Sequence, residues 1–125
     1  MQYMLLIYDD EKLNATLSPE DGNRMMGAYM AYTNALHAAG VLTGSNALHP
    51  TPAATTVRGT QVIDGPYAET KEQLGGYFLL DLPDLNAAIE WAKRCPAAQG
   101  GGSVEIRPVV VFTPEQLASA QLQHA

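Results

Sequence analysis

Apolar residues along the chain fall into two patterns, short uninterrupted runs and longer stretches in which they recur every three or four positions. The run from Tyr3 to Tyr8 is apolar at both alternating sets of positions, which predicts a strand covered on both faces. The next stretch predicts a helix, because Ser18 can cap it, Pro19 suits its first position and Gly40 ends it. Its buried face is predicted at a helically spaced stripe, Met25, Tyr29, Tyr32 and Leu36.

The rest of the chain repeats this order of strand and helix around a hairpin. A tight turn at Gly59-Thr60 joins the two hairpin strands, and glycine at the first turn position suits a type II′ turn. A capping box from Thr113 to Gln116 opens a C-terminal helix at about 114–123. The other predicted elements are strands at 41–48, 55–58, 61–63, 77–82 and 104–112, a helix from Pro83-Asp84 to Cys95-Pro96, and a flexible loop at 97–103.

This order predicts a single α+β domain over residues 1–125, with the ferredoxin-like split βαβ fold and an inserted β-hairpin. Two long helices can cover only one face of the sheet. The strands are nevertheless apolar on both faces, as Met4, Leu6 and Tyr8 show for the first strand. The second face therefore needs a cover. We expect a second copy of the same sheet, which makes the protein a homodimer through its open sheet face, a dimeric α/β barrel.

The amino-acid composition favours a surface that is partly covered by a partner, and it disfavours several classes of partner. Charged residues make up 16% of the chain, below the usual quarter or so, although a smooth Ala- and Gly-rich monomer would show the same value. The net charge is −6 and the basic residues are scattered, which disfavours nucleic acid and anionic membranes as partners. The N-terminus lacks the basic region of a signal peptide, and no apolar run is long enough for a membrane helix, so we expect a cytoplasmic protein.

The segment with the most unusual local chemistry is "DGPYAETKEQLGGY", Asp64 to Tyr77. Its first three residues favour a turn, and Gly75-Gly76 before an apolar strand lets the backbone pass close to another chain segment or a ligand. The charges between them have two interpretations. They form a solvated, self-paired cluster on a turn, or they form a functional loop at the end of the sheet.

In the functional interpretation, the candidate catalytic residues are Asp64, Glu69 and Lys71, with a carboxylate as general base and the lysine as a charge anchor. The candidate ligand-binding residues are Tyr8, Arg58, Tyr67 and Glu72. No phosphate loop, dinucleotide fingerprint or H-E-x-x-H motif occurs. We expect no cofactor and no resident metal, although Asp64, Glu69 and Glu72 could also supply two oxygen ligands to a hard cation.

Histidine and cysteine add little to this picture. His37 suits the negative end of the first helix dipole, and His124 at the C-terminus is interpreted as incidental. His49 lies in a proline-containing loop and could reach the sheet end as a ligand or acid–base group. Cys95, the one cysteine, excludes an internal disulfide and is interpreted as a half-buried thiol near a helix end rather than a catalytic thiolate.

Four segments, "MQYMLLIYDDE", "AAGVLTG", "DGPYAETKEQLGGYFLLDLPDLNAAIEWA" and "GGSVEIRPV", resemble the YCII-related proteins of the DGPF subfamily, from Tyr3 to about Val111. The resemblance implies a dimeric α/β-barrel fold, and it implies that the Asp64-Gly65-Pro66 turn is the signature site, together with the charged residues that follow it. Tyr67 stands where the signature usually has Phe, and the preceding hairpin looks shorter than is typical. The His and Asp pair suspected in more distant YCII-like proteins is not carried over. The resemblance also implies a link to genes for extracytoplasmic-function sigma factors, and with it regulation or a stress-linked small molecule.

Three functions therefore stand beside one another. The protein is an enzyme acting on a small polar or aromatic molecule at the DGPYAETKE loop, or a ligand-binding or regulatory module without chemistry. In the third case it is a structural dimer in which Asp64 caps the turn and Lys71 pairs with a neighbouring glutamate.

Overall fold

The computed structural model describes residues 1–123, which form a four-stranded antiparallel sheet, a separate two-stranded hairpin and five α-helices. The sheet has the strand order β2-β5-β1-β6, so the predicted ferredoxin-like α+β fold with an inserted hairpin is confirmed. The elements are β1 (Gln2–Asp9), α1 (Glu11–Ala15), α2 (Pro19–Ala38), β2 (Leu42–Ala47), β3 (Thr55–Arg58), β4 (Gln61–Asp64), β5 (Gln73–Asp81), α3 (Leu85–Arg94), α4 (Pro96–Gln99), β6 (Ser103–Pro108) and α5 (Pro114–Gln123).

The core lies between the sheet and the helices α2 and α3. Strand β1 is central and places Leu5 opposite Phe78 of β5 on one side and Ile106 of β6 on the other. Because side chains alternate along a strand, every second residue of β1 and β5 points to this helix-facing side. The buried residues of the sheet and its flanking loop are Tyr3, Leu5, Ile7, Phe78, Leu80 and Leu82.

Helix α2 is built as its sequence indicates. The Ser18 hydroxyl accepts a hydrogen bond from the Asp21 backbone N–H, and the predicted stripe faces the sheet, with Tyr32 and Leu36 buried. The Tyr32 ring meets the ring of Phe78 edge-on at 5.2 Å, and its hydroxyl donates to the backbone oxygen of Trp91 at 2.7 Å. This tyrosine therefore joins α2, the sheet and α3.

Two strand predictions are corrected. Strand β5 begins at Gln73 rather than at residue 77, so the Gly-Gly pair lies inside it. Strand β6 ends at Pro108 rather than at residue 112, because the register runs out: Pro108 pairs with Tyr3, and β1 begins at Gln2. A strand cannot continue beyond the end of the strand that pairs with it, even where the residues that follow have high β-propensity.

Other corrections concern short elements. Helix α1 was not predicted, and residues 96–99 form α4 where a flexible loop was expected. Cys95 is fully buried rather than half-buried, and burial raises the pKa of its thiol. His37 lies in the last turn of α2, as predicted, and His124 lies outside the described residues.

The last part of the described chain, residues 109–123, contacts little of its own domain and is called here the C-terminal arm. The Val109 N–H still donates to the Gln2 oxygen, but every residue from 110 to 123 is exposed. The predicted capping box is confirmed, since the side chains of Thr113 and Gln116 each accept a hydrogen bond from the other's backbone N–H. Apolar side chains of the arm face solvent, among them Val111 and Leu122 at 77% and 80% exposure.

None of the helices within residues 1–123 combines the length and the apolar character that crossing a membrane requires.

Candidate functional site

A cavity of about 540 Å³ opens at the sheet end where β1 finishes, β5 starts and β2 finishes. Its apolar lining includes Ile7, Tyr29, Leu48 and Phe78, and its polar lining includes Asp9, Glu11, Thr33, His49 and Gln73. Helix α2 forms one wall, the helix-facing side of the sheet forms the floor, and α1 with the loop after β2 forms the cover.

Strand β5 approaches β2 closely beside this cavity because it carries glycine there. A Cβ atom at Gly76 would lie 2.6 Å from the backbone oxygen of Asn46 and 3.2 Å from the Cα of Ala47. The expectation that the Gly-Gly pair permits a close backbone approach is therefore confirmed for Gly76, and its neighbour is another chain segment. A bulge shifts the register between Ile7 and Tyr8 at the same level of the sheet, and such bulges redirect the side chains beyond them.

The cover is fixed by a short series of hydrogen bonds. The Glu11 carboxylate accepts from the backbone N–H of Thr51 at 3.0 Å and from the Thr51 hydroxyl. The Glu11 backbone N–H donates to the side-chain oxygen of Gln73 at 3.0 Å, and the Gln73 amide nitrogen donates to the oxygen of Thr70 at 2.5 Å. Gln73 thus links α1 to the loop that carries the DGPYAETKE motif.

Asp9 and Tyr29 are the two polar residues of the lining with distinctive chemistry. The half-buried carboxylate of Asp9 accepts no hydrogen bond from residues 1–123, whereas that of Glu11 is already engaged by Thr51. Burial, with smaller contributions from the Cys95 thiol and the Asp9 carboxylate, raises the pKa of Tyr29 well above its ordinary value. Tyr29 therefore keeps its proton at neutral pH, and Asp9 is a free acceptor.

The predicted catalytic residues lie outside this cavity. Asp64, Glu69 and Lys71 are exposed, and within residues 1–123 their side chains make no ion pair. The loop nevertheless borders the cavity, because the Thr70 oxygen is bonded to the lining residue Gln73.

The predicted ligand-binding residues fall in two further places. The Arg58 guanidinium lies over the Tyr67 ring, 4.7 Å from its centroid, at a shallow hollow of about 230 Å³ on the hairpin. Tyr8 and Glu72 lie toward the open face of the sheet, where the Tyr8 hydroxyl donates to Glu105 at 3.2 Å and the Ser103 hydroxyl donates to Glu72 at 3.1 Å. The fold thus divides the seven predicted residues among three surfaces, and none of them lines the 540 Å³ cavity.

Sequence reasoning missed Asp9, Glu11 and Tyr29 as site residues, and it named His49 without assigning it a partner. The signal for Asp9 was present, since a carboxylate directly follows a strand buried on both faces. Tyr29 was correctly placed on the buried stripe of α2, where its spacing is the same whether it fills the core or lines a cavity. The position of Glu11 depends on α1, which has too few residues to show a periodic pattern.

Comparison with known proteins defines the family. The YCII-related domain matches residues 1–113. An uncharacterized protein, R00369, of Rhizobium meliloti (strain 1021) is 39% identical over 124 residues, covering 95% of this chain and 100% of that protein. A solved structure, the 5-chloro-2-hydroxyhydroquinone dehydrochlorinase TftG from Burkholderia phenoliruptrix AC1100 in complex with 2,5-dihydroxybenzoquinone, superposes with a TM-score of 0.51 at 11% identity, covering 90% of this chain and 96% of that one. The last likeness shows a shared fold, and the first two show that this chain belongs to the YCII-related family.

Proposed function

We propose that the protein is an enzyme that binds a small polar or aromatic molecule in the 540 Å³ cavity and transfers a proton on it. The cavity volume falls in the range of about 300 to 1,000 Å³ that is usual for small-molecule sites. One observation carries the proposal: the Asp9 carboxylate, without a protein partner among residues 1–123, shares an apolar-walled cavity with a protonated tyrosine and an imidazole.

The groups suit general acid–base chemistry. The Asp9 carboxylate can accept a proton from a substrate hydroxyl, amine or activated carbon, and the Tyr29 hydroxyl can donate a hydrogen bond to a developing negative charge. A neutral imidazole at His49 accepts at one nitrogen and donates at the other, so it can return the proton at a second position. Ile7 and Phe78 keep part of the lining dry, which strengthens these interactions.

The motif loop belongs to the proposal as the rim of the site. Glu69 and Lys71 flank Thr70, whose oxygen is held by Gln73 of the lining. A substrate that extends out of the cavity would meet these charges first. Asp64 stands at the base of the loop, at the end of β4.

The fold neighbour is compatible with a ring-shaped substrate. TftG is by its name a dehydrochlorinase of a chlorinated hydroxyhydroquinone and was solved with a dihydroxybenzoquinone. At 11% identity this likeness concerns the fold, so the substrate of this chain has to be found by experiment. A ligand that binds in the cavity and is released unchanged would favour the alternative, a binding or regulatory module.

We also propose that the protein is a homodimer through its open sheet face. Met4, Leu6 and Leu79 lie half-buried on that face, away from the helices. Glu105 and Arg107, 3.3 Å apart on the edge strand β6, supply a polar rim of both signs, which is the usual anatomy of an interface. The exposed apolar side chains of the C-terminal arm offer further surface for a second copy. A cytoplasmic location stays a prediction from the sequence.

The test is a thermal-shift screen of small polar and aromatic metabolites on three forms of the protein. Ser45→Phe projects a ring into the cavity from β2, whereas Thr43→Phe places the same ring on the same strand outside the lining. A ligand at 100 times its dissociation constant adds about 2.7 kcal/mol to the free energy of unfolding. We expect this stabilisation in the wild type and in Thr43→Phe but not in Ser45→Phe. Each such ligand is then incubated with the wild type and with Asp9→Asn, and the product is followed by NMR. Conversion that Asp9→Asn abolishes supports the enzyme, and a screen without any cavity-dependent ligand contradicts the proposed function.

A further inference from the structure

We infer that the ligand of the cavity carries a positive charge, as a protonated amine on an aromatic or apolar frame, and is not a carboxylate or a phosphate. This inference rests on the proposed function, because it names the substrate class for the same site. It concerns the sign of the charge that the lining selects.

The first argument is the set of charges in the lining. The ionisable groups of definite sign that face the cavity are the carboxylates of Asp9 and Glu11, and within residues 1–123 no lysine or arginine lines it. Proteins that bind anionic groups place arginine, lysine or several backbone N–H groups toward them. The chain as a whole carries a net charge of −6, which adds a long-range field of the same sign.

The second argument separates the two carboxylates. Glu11 accepts two hydrogen bonds from Thr51 and is thereby fixed as part of the cover. Asp9 receives no hydrogen bond or ion pair from the described chain, although it is half-buried at the end of the central strand. An ammonium group would give this carboxylate a charge-assisted hydrogen bond that the described chain does not supply.

The third argument is the character of the walls. Tyr29 and Phe78 present aromatic rings to the same space, and Ile7 and Leu48 present aliphatic surface. Aromatic rings attract cations through their faces and also bury the apolar frame of a ligand. An anion would meet Asp9 without a compensating cation from the lining.

The loop charges do not reverse this conclusion. Lys71, expected from the sequence to anchor a substrate carboxylate, is exposed and does not line the cavity, and Arg58 is stacked on Tyr67 at the hairpin. Both side chains are exposed to solvent outside the lining. The charged groups that line the cavity therefore remain the two carboxylates.

The experiment uses four probes that share a phenyl ring and differ in charge: phenethylamine and tyramine as cations, 2-phenylethanol as a neutral molecule and phenylacetate as an anion. Dissociation constants are measured by calorimetry at pH 7 for the wild type. We expect both amines to bind at least tenfold more tightly than the alcohol, and phenylacetate to bind most weakly. We expect Asp9→Asn to remove that tenfold preference while far-UV circular dichroism stays unchanged. Glu90→Gln, which removes an exposed carboxylate on α3, serves as the matched control and should keep the preference.

The outcomes distinguish this inference from the proposed function. If phenylacetate or the alcohol binds as tightly as the amines, and Ser45→Phe abolishes that binding, the cavity is a ligand site and the inference about charge is wrong. If none of the four probes binds, the test uses the ligands from the wider screen whose binding Ser45→Phe prevents. Cations among them would support the inference about charge, and anions or neutral molecules would overturn it. If no compound binds in a way that Ser45→Phe prevents, both proposals fail together. The ranking of the probes on the wild type does not depend on how well any variant folds.

Discussion

Replacing Gly76 with alanine tests how tightly the sheet is built beside the cavity. The added Cβ would lie 2.6 Å from the backbone oxygen of Asn46, whereas Cβ atoms in real structures essentially never come within 3.0 Å of a neighbour. That oxygen belongs to strand β2, which cannot retreat without disturbing its pairing with β5, in which Ala47 is the partner of Gly76. Overpacking of this kind costs about 1–3 kcal/mol. Alanine also restricts the unfolded chain, which returns about 0.4–1 kcal/mol.

The neighbouring glycine provides a matched control. A Cβ at Gly75 would lie 3.5 Å from the Asp9 carboxylate oxygen, an ordinary van der Waals contact, and the unfolded chain is restricted equally in both variants. We therefore expect Gly76→Ala to be less stable than Gly75→Ala by about 1–3 kcal/mol. Such a difference corresponds to a melting temperature lower by about 4 °C or more for a domain of this size.

The assay is urea unfolding of both variants, followed by the fluorescence of Trp91 and by far-UV circular dichroism. The two probes should give coincident transitions, and the slope with urea should be equal in both variants, so that the midpoints compare stability. Equal midpoints for the two variants would refute the reasoning, because they would mean that β2 moves aside at no cost. A lower slope in Gly76→Ala alone would instead mean that β2 has already detached in the native state.

Three further predictions follow from other parts of the molecule. Burial raises the pKa of Tyr29 and of Tyr32 above the ordinary value of about 10. As the pH rises, these hydroxyls therefore ionise in the unfolded chain before they ionise in the folded protein. Their contribution to the free energy of unfolding is constant below pH 10 and falls above it, by at most about 1.4 kcal/mol per pH unit for each tyrosine. Urea titrations between about pH 10 and 11 should show a shallower decline in Tyr32→Phe, and an unchanged decline would count against the burial argument. Leu6→Lys should convert a dimer to a monomer in light scattering, while Met26→Lys on the exposed side of α2 should not; a wild-type monomer at micromolar concentration would disprove the dimer. Asp64→Ala should change the free energy of unfolding by less than about 0.5 kcal/mol, since its side chain accepts no hydrogen bond within residues 1–123; a loss of 1 kcal/mol in chemical unfolding would restore the capping role expected from the sequence.

The fold was predictable where the signal is local. Ser18 and Thr113 cap their helices through side-chain bonds that the sequence itself encodes within four residues. The end of β6 was not predictable from its own residues, because Pro108 is followed by a run of strong strand formers and the strand stops only for lack of a partner. Register between distant strands decides such boundaries, and no local pattern contains it.

In the candidate site, too, local features were predictable from the sequence and features that depend on distant contacts were not. The charged motif was identifiable in the sequence, and the structure places Asp64 and Lys71 on the exposed loop outside the cavity. The cavity itself depends on the meeting of Asp9, Tyr29 and His49, which are 20 residues or more apart in sequence and are brought together by the crossing of α2 over the sheet. Their chemistry is ordinary when each is considered alone, and only their proximity makes them candidates.

The side chain of Gln73 has a consequence for the rates at which ligands exchange. It joins the first residue of α1 to the loop at Thr70, and α1 is itself held to the far side of the cavity by Thr51. The two hydrogen bonds that Thr51 donates to Glu11, in partly exposed positions, open far more often than the core unfolds. Access to the cavity should therefore be controlled by this local opening, in which α1 and the motif loop, still joined by Gln73, move as one unit. A substitution in the loop that touches no ligand would then alter association and dissociation rates by equal factors and leave the equilibrium affinity unchanged.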